Sequence, residues 1–140
     1  MAYDFTGSWT EKAGHHAQLF SKNSESASGA AAIDYLLQMG VESHKILLGI
    51  PVYGRSFLGC KKVGDRHAGH GGEEGTFEYK ELPKAGAVSH THNDAVAACC
   101  VGNDDAGGFI SYDTPETVGM KGGYVREKRL GVSIPLFCSA

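Results

Sequence analysis

The sequence predicts an α/β fold that begins with a strand, a crossover helix and a second, parallel strand. Residues 1–5 are short and apolar and lead into a Thr-Gly-Ser turn, as expected of a buried parallel strand that ends in a loop. Ser28 is a suitable N-cap for a helix that continues to Met39, and Gly40 supplies the stop. Residues 45–50 then form a second apolar run. In βαβ units ligands bind beyond the carboxyl ends of the strands, so we expect a site where these two strands end.

The predicted helix has one apolar face, formed by Ile33, Leu36, Leu37 and Gly40. Spacings of three and four residues place these positions along one side of a helix. We therefore expect all four to face the sheet, as in a crossover helix.

After residue 57 the composition and the predicted secondary structure change. Residues 58–108 are rich in Gly and His and contain two short candidate elements, at residues 76–82 and 94–101. Residues 109–112 form the next predicted strand. The Asp-Thr-Pro-Glu sequence that follows opens a second helix, with its threonine as N-cap and its proline at the first helical position.

The composition is that of an ordinary soluble globular domain. The chain has 140 residues, 41% of them hydrophobic and 21% charged, and a formal net charge of −3. No apolar run approaches the roughly 18 residues of a membrane span. The basic cluster of Lys61, Lys62 and Arg66 is too short to indicate nucleic-acid binding. We therefore expect neither a nucleic acid nor a membrane as partner, and no cofactor.

The cysteines and histidines do not form a recognisable metal motif. Four cysteines permit three pairings, and we favour buried free thiols over a strained disulfide between the neighbours Cys99 and Cys100. His67-x-x-His70 with nearby acidic residues has loose spacing, which favours a solvated loop over a metal site. The other histidine pairs are predicted to lie at the surface: His15 with His16, and His90 with His92.

Two segments resemble consecutive strands of one enzyme family. They are MAYDFTGSW at residues 1–9 and ILLGIPVYGRSF at residues 46–57. The chain closely resembles the glycoside hydrolase family 18 chitinases, of the fungal endochitinase type, from the sixth strand of their (β/α)8 barrel onward. The resemblance implies a partial barrel in residues 1–57, an inserted α+β lobe in residues 58–108, and a return to the barrel in residues 109–140.

The same resemblance implies one side of a sugar site. Tyr3 and Asp4 are expected to hold the N-acetyl group of the substrate, above Met1. Arg55 and Tyr53 are expected to contact sugar hydroxyls, because a guanidinium offers several donors in a fixed fork. Trp9 is expected to stack on a sugar ring. The alternatives are purely structural roles: a loop anchor for Trp9, a capping role for Asp4 and an ion pair between Asp4 and Arg55.

The other side of the site is missing from this sequence. In the family, hydrolysis is substrate-assisted, and the acid is a Glu that closes an Asp-x-x-Asp-x-Asp-x-Glu motif on the fourth strand. This sequence has no such motif, and no Asp is followed two residues later by Glu. We therefore expect a chain that cannot hydrolyse chitin, β-1,4-linked N-acetylglucosamine, alone.

The resemblance ends after Gly131. The family continues into an eighth strand that carries a Trp beneath the sugar, whereas residues 132–140 contain no Trp, and Pro135 removes a backbone donor. The sequence thus predicts a fragment whose open strand edges favour self-association. Its parent is expected to be extracellular, although residues 1–5 carry no signal-peptide pattern.

Three functional hypotheses remain. The chain is a fragment of a chitinase, a noncatalytic module that binds chitin or N-acetylglucosamine oligosaccharides, or a truncated product without function. The sugar-contacting residues are the same in the first two hypotheses: Met1, Tyr3, Asp4, Trp9, Tyr53 and Arg55.

Overall fold

The computed structural model describes residues 1–21 and 26–131, and the backbone of residues 134–136. It contains two α-helices and seven strands in this part of the chain. In chain order the elements are α1 (Gly29–Gln38), β1 (Gly49–Pro51), β2 (Tyr53–Phe57), β3 (Thr76–Glu78), β4 (Val88–His92), β5 (Ala97–Val101), β6 (Phe109–Tyr112), α2 (Pro115–Glu127) and β7 (Ile134–Leu136). Short 3-10 turns lie at Ser43–Lys45, Tyr79–Glu81 and Asp104–Ala106.

The strands form two sheets, and the expected α/β class is confirmed. Five strands pair antiparallel in the order β3-β2-β6-β5-β4. In this sheet Ser111 of β6 lies opposite Arg55 on one side and Cys99 on the other. The second sheet is a parallel pair, β1 with β7, in which Ile50 lies opposite Pro135. The backbone at Pro135 therefore takes part in a strand, which a proline without an N–H can do where its missing donor is not needed.

The predicted first strand is wrong. Within the described range 1–21, residues 1–5 form no strand. Asp4 has a φ of 60°, in the left-handed region, and this interrupts an extended chain. The backbone N–H of Phe5 donates instead to the carbonyl of His16 at 2.9 Å. The predicted second strand is also displaced, because residues 43–45 form a 3-10 turn and β1 begins only at Gly49.

Helix α1 begins and ends where the sequence predicts. The hydroxyl of Ser28 accepts a hydrogen bond from the N–H of Ala31 at 3.4 Å, as an N-cap does. Gly40 has a φ of 86°, a conformation that glycine adopts without steric cost. The expected apolar face is only partly right, since Ile33 is buried but Leu36 is 39% exposed. The buried stripe is turned toward Ala30 and Ile33.

Helix α2 also has the expected start. Thr114 accepts from the N–H of Thr117 at 3.3 Å, and Pro115 occupies the first turn, where its missing N–H costs nothing. The hydroxyl of Thr117 in turn accepts from the N–H of Thr114, which completes a reciprocal cap. The buried face of this helix includes Lys121 and Tyr124.

Apolar side chains collect in three clusters that the helices and the larger sheet create. The first cluster joins the helices to the segment just before β1 and includes Leu19, Ala30, Ile33, Ile46, Leu48, Tyr124, Val125 and Leu130. The other two lie among residues of the five-stranded sheet, one around Phe57, Cys60, Cys99 and Phe109, the other around Cys100, Ile110 and Tyr112.

Neighbouring strand residues point to opposite faces, so Cys99 and Cys100 belong to different clusters. Cys60, Cys99 and Cys100 are buried free thiols, which confirms that prediction for the described cysteines, and Cys138 lies outside the described residues. Burial raises the pKa of the Cys99 thiol to about 12. No helix in the described part of the chain is long and apolar enough to cross a membrane.

Candidate functional site

A carboxylate, a phenol and a guanidinium meet on one face of the five-stranded sheet, at strand β2. The Tyr53 hydroxyl donates to Asp4 Oδ1 at 2.8 Å, and Arg55 Nε donates to the same oxygen at 2.9 Å. Tyr53 and Arg55 alternate along β2, which places both side chains on the same face of the sheet. The ion pair is partly open to solvent, because 33% of the Asp4 side chain and 12% of the Arg55 side chain remain exposed.

The surroundings of Asp4 keep its carboxyl group ionised. Burial raises its pKa, but the nearby His16 imidazole and the hydrogen bonds from Arg55 and Tyr53 lower it and together outweigh that effect, so the pKa lies well below its usual range. The same carboxylate raises the pKa of the Arg55 guanidinium, against the opposing effect of burial. The pair therefore stays charged at neutral and mildly acidic pH.

Aromatic rings surround this ion pair. The Arg55 guanidinium lies 4.7 Å from the centre of the Trp9 ring and 5.5 Å from that of Tyr53. The Tyr3 ring meets Tyr53 edge to face at a centroid distance of 6.1 Å. Gly7 makes room for the indole, because a Cβ at this position would stand 2.4 Å from a Trp9 ring carbon. Trp9 is 57% exposed, so a cation supports an indole that remains open to solvent.

The structure brings together five of the six residues that the sequence singles out. Asp4, Tyr53 and Arg55 are joined by hydrogen bonds, and Tyr3 and Trp9 contact them through their rings. The ion pair between Asp4 and Arg55, named above as a structural alternative, is present. Met1 is 91% exposed and makes none of these contacts.

His16 is a member of this cluster that sequence reasoning misplaced. It was expected at the surface but is fully buried, with Nδ1 at 3.6 Å from Asp4 Oδ1 and its ring centre 5.3 Å from that of Tyr53. The backbone N–H of His16 donates to the Ser111 hydroxyl at 3.1 Å. His15 is also buried, so the surface prediction is wrong for both, whereas His90 and His92 are exposed as predicted. The only sequence signal was the apolar residues around this pair.

A second ion pair lies wholly inside the protein and was not anticipated. Lys121 Nζ donates to Asp113 Oδ2 and to the carbonyl of Ala17, both at 2.5 Å, and the two charged side chains are 3% and 2% exposed. Asp113 also accepts from the Thr117 hydroxyl at 2.8 Å. Burial lowers the pKa of Lys121, and the adjacent carboxylate opposes that effect. This network fastens α2 to the segment that carries His16.

The histidine motif of the glycine-rich segment is engaged in backbone contacts. His67 Nε2 lies 2.5 Å from the carbonyl oxygen of Thr10, and its Nδ1 lies 3.1 Å from that of Gly69. Within the ranges that the structure describes, no three His, Cys, Asp or Glu side chains are grouped so that they can hold a metal ion.

Comparison with known proteins identifies close similarities. Residues 1–134 match the sequence profile of glycosyl hydrolases family 18. Chitinase 1 of Aphanocladium album is 35% identical over 138 residues, which is 94% of this chain and 32% of that protein. Endochitinase 1 of Metarhizium robertsii is 36% identical over 141 residues, which is 96% of this chain and 33% of that protein. The chain thus spans about a third of the length of these relatives.

Solved structures give the same match in three dimensions. A mutant GH18 chitinase from Cycas revoluta in complex with (GlcNAc)4 superposes with a TM-score of 0.88 at 32% identity, covering 99% of this chain and 41% of that one. The class V chitinase from Nicotiana tobaccum gives a TM-score of 0.88 at 28% identity, covering 98% of this chain and 42% of that one. The mixed α/β arrangement with its five-stranded antiparallel sheet is therefore that of these chitinases.

Proposed function

Since the chain belongs to glycosyl hydrolases family 18, we propose that it forms the part of a chitinase site that orients the N-acetyl group of an N-acetylglucosamine residue. Asp4 and Tyr3 hold that group, Arg55 and Tyr53 contact sugar hydroxyls, and Met1 lies beneath the ring. The observation that carries this proposal is the ionised Asp4 carboxylate, which is fixed by two donors yet remains one-third exposed.

The charge arrangement suits a neutral sugar that carries an amide. An amide N–H is attracted to a carboxylate that stays ionised, and the neighbouring guanidinium supplies donors for hydroxyl oxygens. Because Asp4 and Arg55 neutralise each other, the site needs no ionic ligand to balance its charge.

Trp9 provides the platform for a neighbouring sugar. Its indole is more than half exposed, and one of its neighbours is the Arg55 cation. The CH faces of a pyranose ring are apolar and suit such an aromatic surface. The chitinase from Cycas revoluta described above was solved with (GlcNAc)4 bound, which supports an oligosaccharide of this class as the ligand here.

The proposed activity is binding without hydrolysis. The complete family enzymes hydrolyse β-1,4 links between N-acetylglucosamine units, and their acid comes from a motif that this 140-residue sequence does not contain. The chain accordingly holds the orienting half of the site and lacks the acid that protonates the leaving sugar. A noncatalytic binding module is the second candidate, and the exposed Trp9 favours it over a product without function.

The proposed architecture is a partial (β/α)8 barrel. The parallel pairing of β1 with β7 supports it, and so does the packing of α1 and α2 in one apolar cluster with Ile46 and Leu48, which directly precede β1. The division into residues 1–57, 58–108 and 109–140 stays a prediction. Strand β2 of the first segment pairs with β6 of the third segment in the five-stranded sheet.

We also propose that the chain self-associates through β4, the strand at one edge of the five-stranded sheet. The side chains of β4 are all exposed, which supports pairing through this edge. Size-exclusion chromatography with light scattering tests it, and a monodisperse monomer contradicts it.

Isothermal titration of the 140-residue chain with chitotetraose, beside a reducing-end assay on the same sample, tests the proposed function. We expect saturable binding without release of reducing ends. Trp9→Ala is expected to weaken binding, and Tyr35→Ala, at an exposed tyrosine on α1, serves as the matched control. Absence of binding contradicts the proposal, and hydrolysis contradicts the argument from the missing acid.

A further inference from the structure

The buried imidazole of His16 faces the carboxylate that the proposed site depends on. Its side chain is 0% exposed, and its Nδ1 lies 3.6 Å from Asp4 Oδ1, slightly beyond hydrogen-bond range. Neither ring nitrogen has a hydrogen-bond partner among the described residues. Buried polar atoms in folded proteins are nearly always paired, so this ring requires a specific explanation.

The backbone of His16 ties the ring to the site. Its N–H donates to the Ser111 hydroxyl on β6 at 3.1 Å. Its carbonyl accepts from the N–H of Phe5, the residue directly after Asp4, at 2.9 Å. One residue therefore links the five-stranded sheet to the backbone that presents Asp4, and it places a ring nitrogen beside the same carboxylate.

The charged and titratable groups around the ring determine which proton it carries. Asp4 faces it from the N-terminal segment, Tyr53 from β2, and the Asp113–Lys121 ion pair from β6 and α2. Burial lowers the pKa of His16, and this outweighs the two carboxylates, so the ring is neutral at pH 7. A neutral imidazole has one donor and one acceptor nitrogen. A bare Nδ1 would turn its lone pair toward a carboxylate oxygen, whereas an Nδ1–H would point a donor at it.

We propose that His16 is a positioning residue for Asp4, in which a neutral ring protonated at Nδ1 holds Oδ1 from a third direction and keeps the carboxylate aimed at the N-acetyl group of the sugar. The role of Asp4 toward the sugar rests on the function proposed above. Tyr53 and Arg55 hold the same oxygen from β2, and His16 holds it from the opposite segment of chain. With donors on both sides, Asp4 cannot swing toward β2 when a ligand arrives.

The first test needs no substitution and no sugar. Long-range 1H–15N correlation spectra of the 15N-labelled chain at pH 7 distinguish a protonated ring nitrogen from a bare one. We expect His16 to carry its proton on Nδ1, whereas a free neutral imidazole prefers Nε2. A proton on Nε2 alone overturns the proposal.

The second test measures the consequence for binding. His16→Phe keeps a buried ring but removes the donor, and His16→Asn retains a short donor. Loss of one hydrogen bond of ordinary net strength is expected to weaken chitotetraose binding by about 3- to 10-fold in His16→Phe. His16→Asn should recover most of the affinity. The control is His15→Phe, the adjacent buried imidazole, whose ring packs against His92 and not against Asp4, and it should leave the affinity unchanged.

The two proposals fail in different ways. If the wild-type chain binds chitotetraose and His16→Phe binds it equally well, the positioning role is wrong and the proposed function stands. A second outcome is that neither the wild type nor any variant binds, although the spectrum shows Nδ1–H. If the 13C chemical shift of the Asp4 carboxyl group then changes in His16→Phe and returns in His16→Asn, the proposed function is wrong and the positioning of Asp4 stands.

Discussion

Two carboxylate–cation pairs, Asp4–Arg55 and Asp113–Lys121, illustrate two uses of the same chemistry. In the first the carboxylate is 33% exposed and an open indole lies beside it. In the second both side chains are at most 3% exposed, and a hydroxyl and a carbonyl complete the network. A ligand can reach the first pair and cannot reach the second. The open pair is thus available for binding, and the closed pair holds α2 against the chain segment that carries His16.

Removing the cation of the closed pair should have the largest effect on stability. Lys121→Met leaves Asp113 buried without its counter-charge, and such changes cost about 3–5 kcal/mol. We expect the free energy of unfolding, measured by urea titration, to fall by this amount. Lys128→Met is the matched control, because Lys128 pairs with Asp34 at the surface and its loss should change little. Equal effects of the two variants would contradict the distinction between the buried Asp113–Lys121 pair and an ion pair at the surface.

Lowering the pH should destabilise the protein through buried His15 before it affects the Asp4–Arg55 pair. Burial, and then the neighbouring side chains of His92, His16 and Lys121, lower the pKa of His15 to about 4, below its ordinary value of 6.5. Between these two values the unfolded chain binds the proton more readily, so stability is full above the upper value and falls as the pH drops toward the lower one. From pH 7 to pH 5 we expect a loss of about 2 kcal/mol from this group.

His15→Phe should remove that part of the pH dependence, and His44→Gln, at an exposed histidine, should not. The open pair behaves differently, since the pKa of Asp4 lies well below its usual range and the carboxylate stays charged at pH 5. Its stabilising contribution is lost progressively as the pH falls from the ordinary value of the unfolded carboxyl group, 3.8, toward the depressed folded value. A pH profile unchanged by His15→Phe would contradict the assignment.

Replacing Asp4 by Asn or by Ala should distinguish the contribution of its charge to binding from the contribution of its backbone conformation to stability. Asn tolerates the φ of 60° at this position, whereas Ala does not, and the left-handed region costs an ordinary residue about 1 kcal/mol. Asp4→Ala should therefore be less stable than Asp4→Asn by about that amount in the same urea titration. Both should lose chitotetraose affinity alike, because both lack the carboxylate. Asn binding as well as Asp would show that the charge is not needed.

The smallest effect on stability is expected for the exposed side chain of Trp9. Trp9→Ala removes a side chain that is 57% exposed, so the main loss is its contact with Arg55, worth about 0.5–1 kcal/mol at an exposed site. Its chitotetraose affinity should fall much more than its stability. A large drop in thermal midpoint would instead make Trp9 a loop anchor.

Local signals in the sequence predict the helices well and the strands poorly. Ser28, Gly40 and Thr114 act within a few residues of themselves, so their capping roles are visible in the sequence. The left-handed conformation of Asp4 has no such signal, and it is the reason that residues 1–5 form no strand.

The candidate site shows the same division. Tyr53 and Arg55 alternate on one strand and are readable from the sequence once their motif is noticed. His16 and Lys121 become important only through partners far along the chain, Asp4, Ser111 and Ala17. Polar residues of this kind ordinarily lie at the surface, so sequence reasoning places them there.

Trp9 is the only tryptophan in the chain, and its emission therefore reports on the open pair alone. Fluorescence titration of the wild-type protein with chitotetraose is the most direct test of the claim that the Asp4–Arg55 pair receives a sugar. We predict a saturable change in Trp9 emission that is reduced in Asp4→Asn and retained in Lys128→Met. An emission spectrum that does not respond to the oligosaccharide at any concentration would contradict the account.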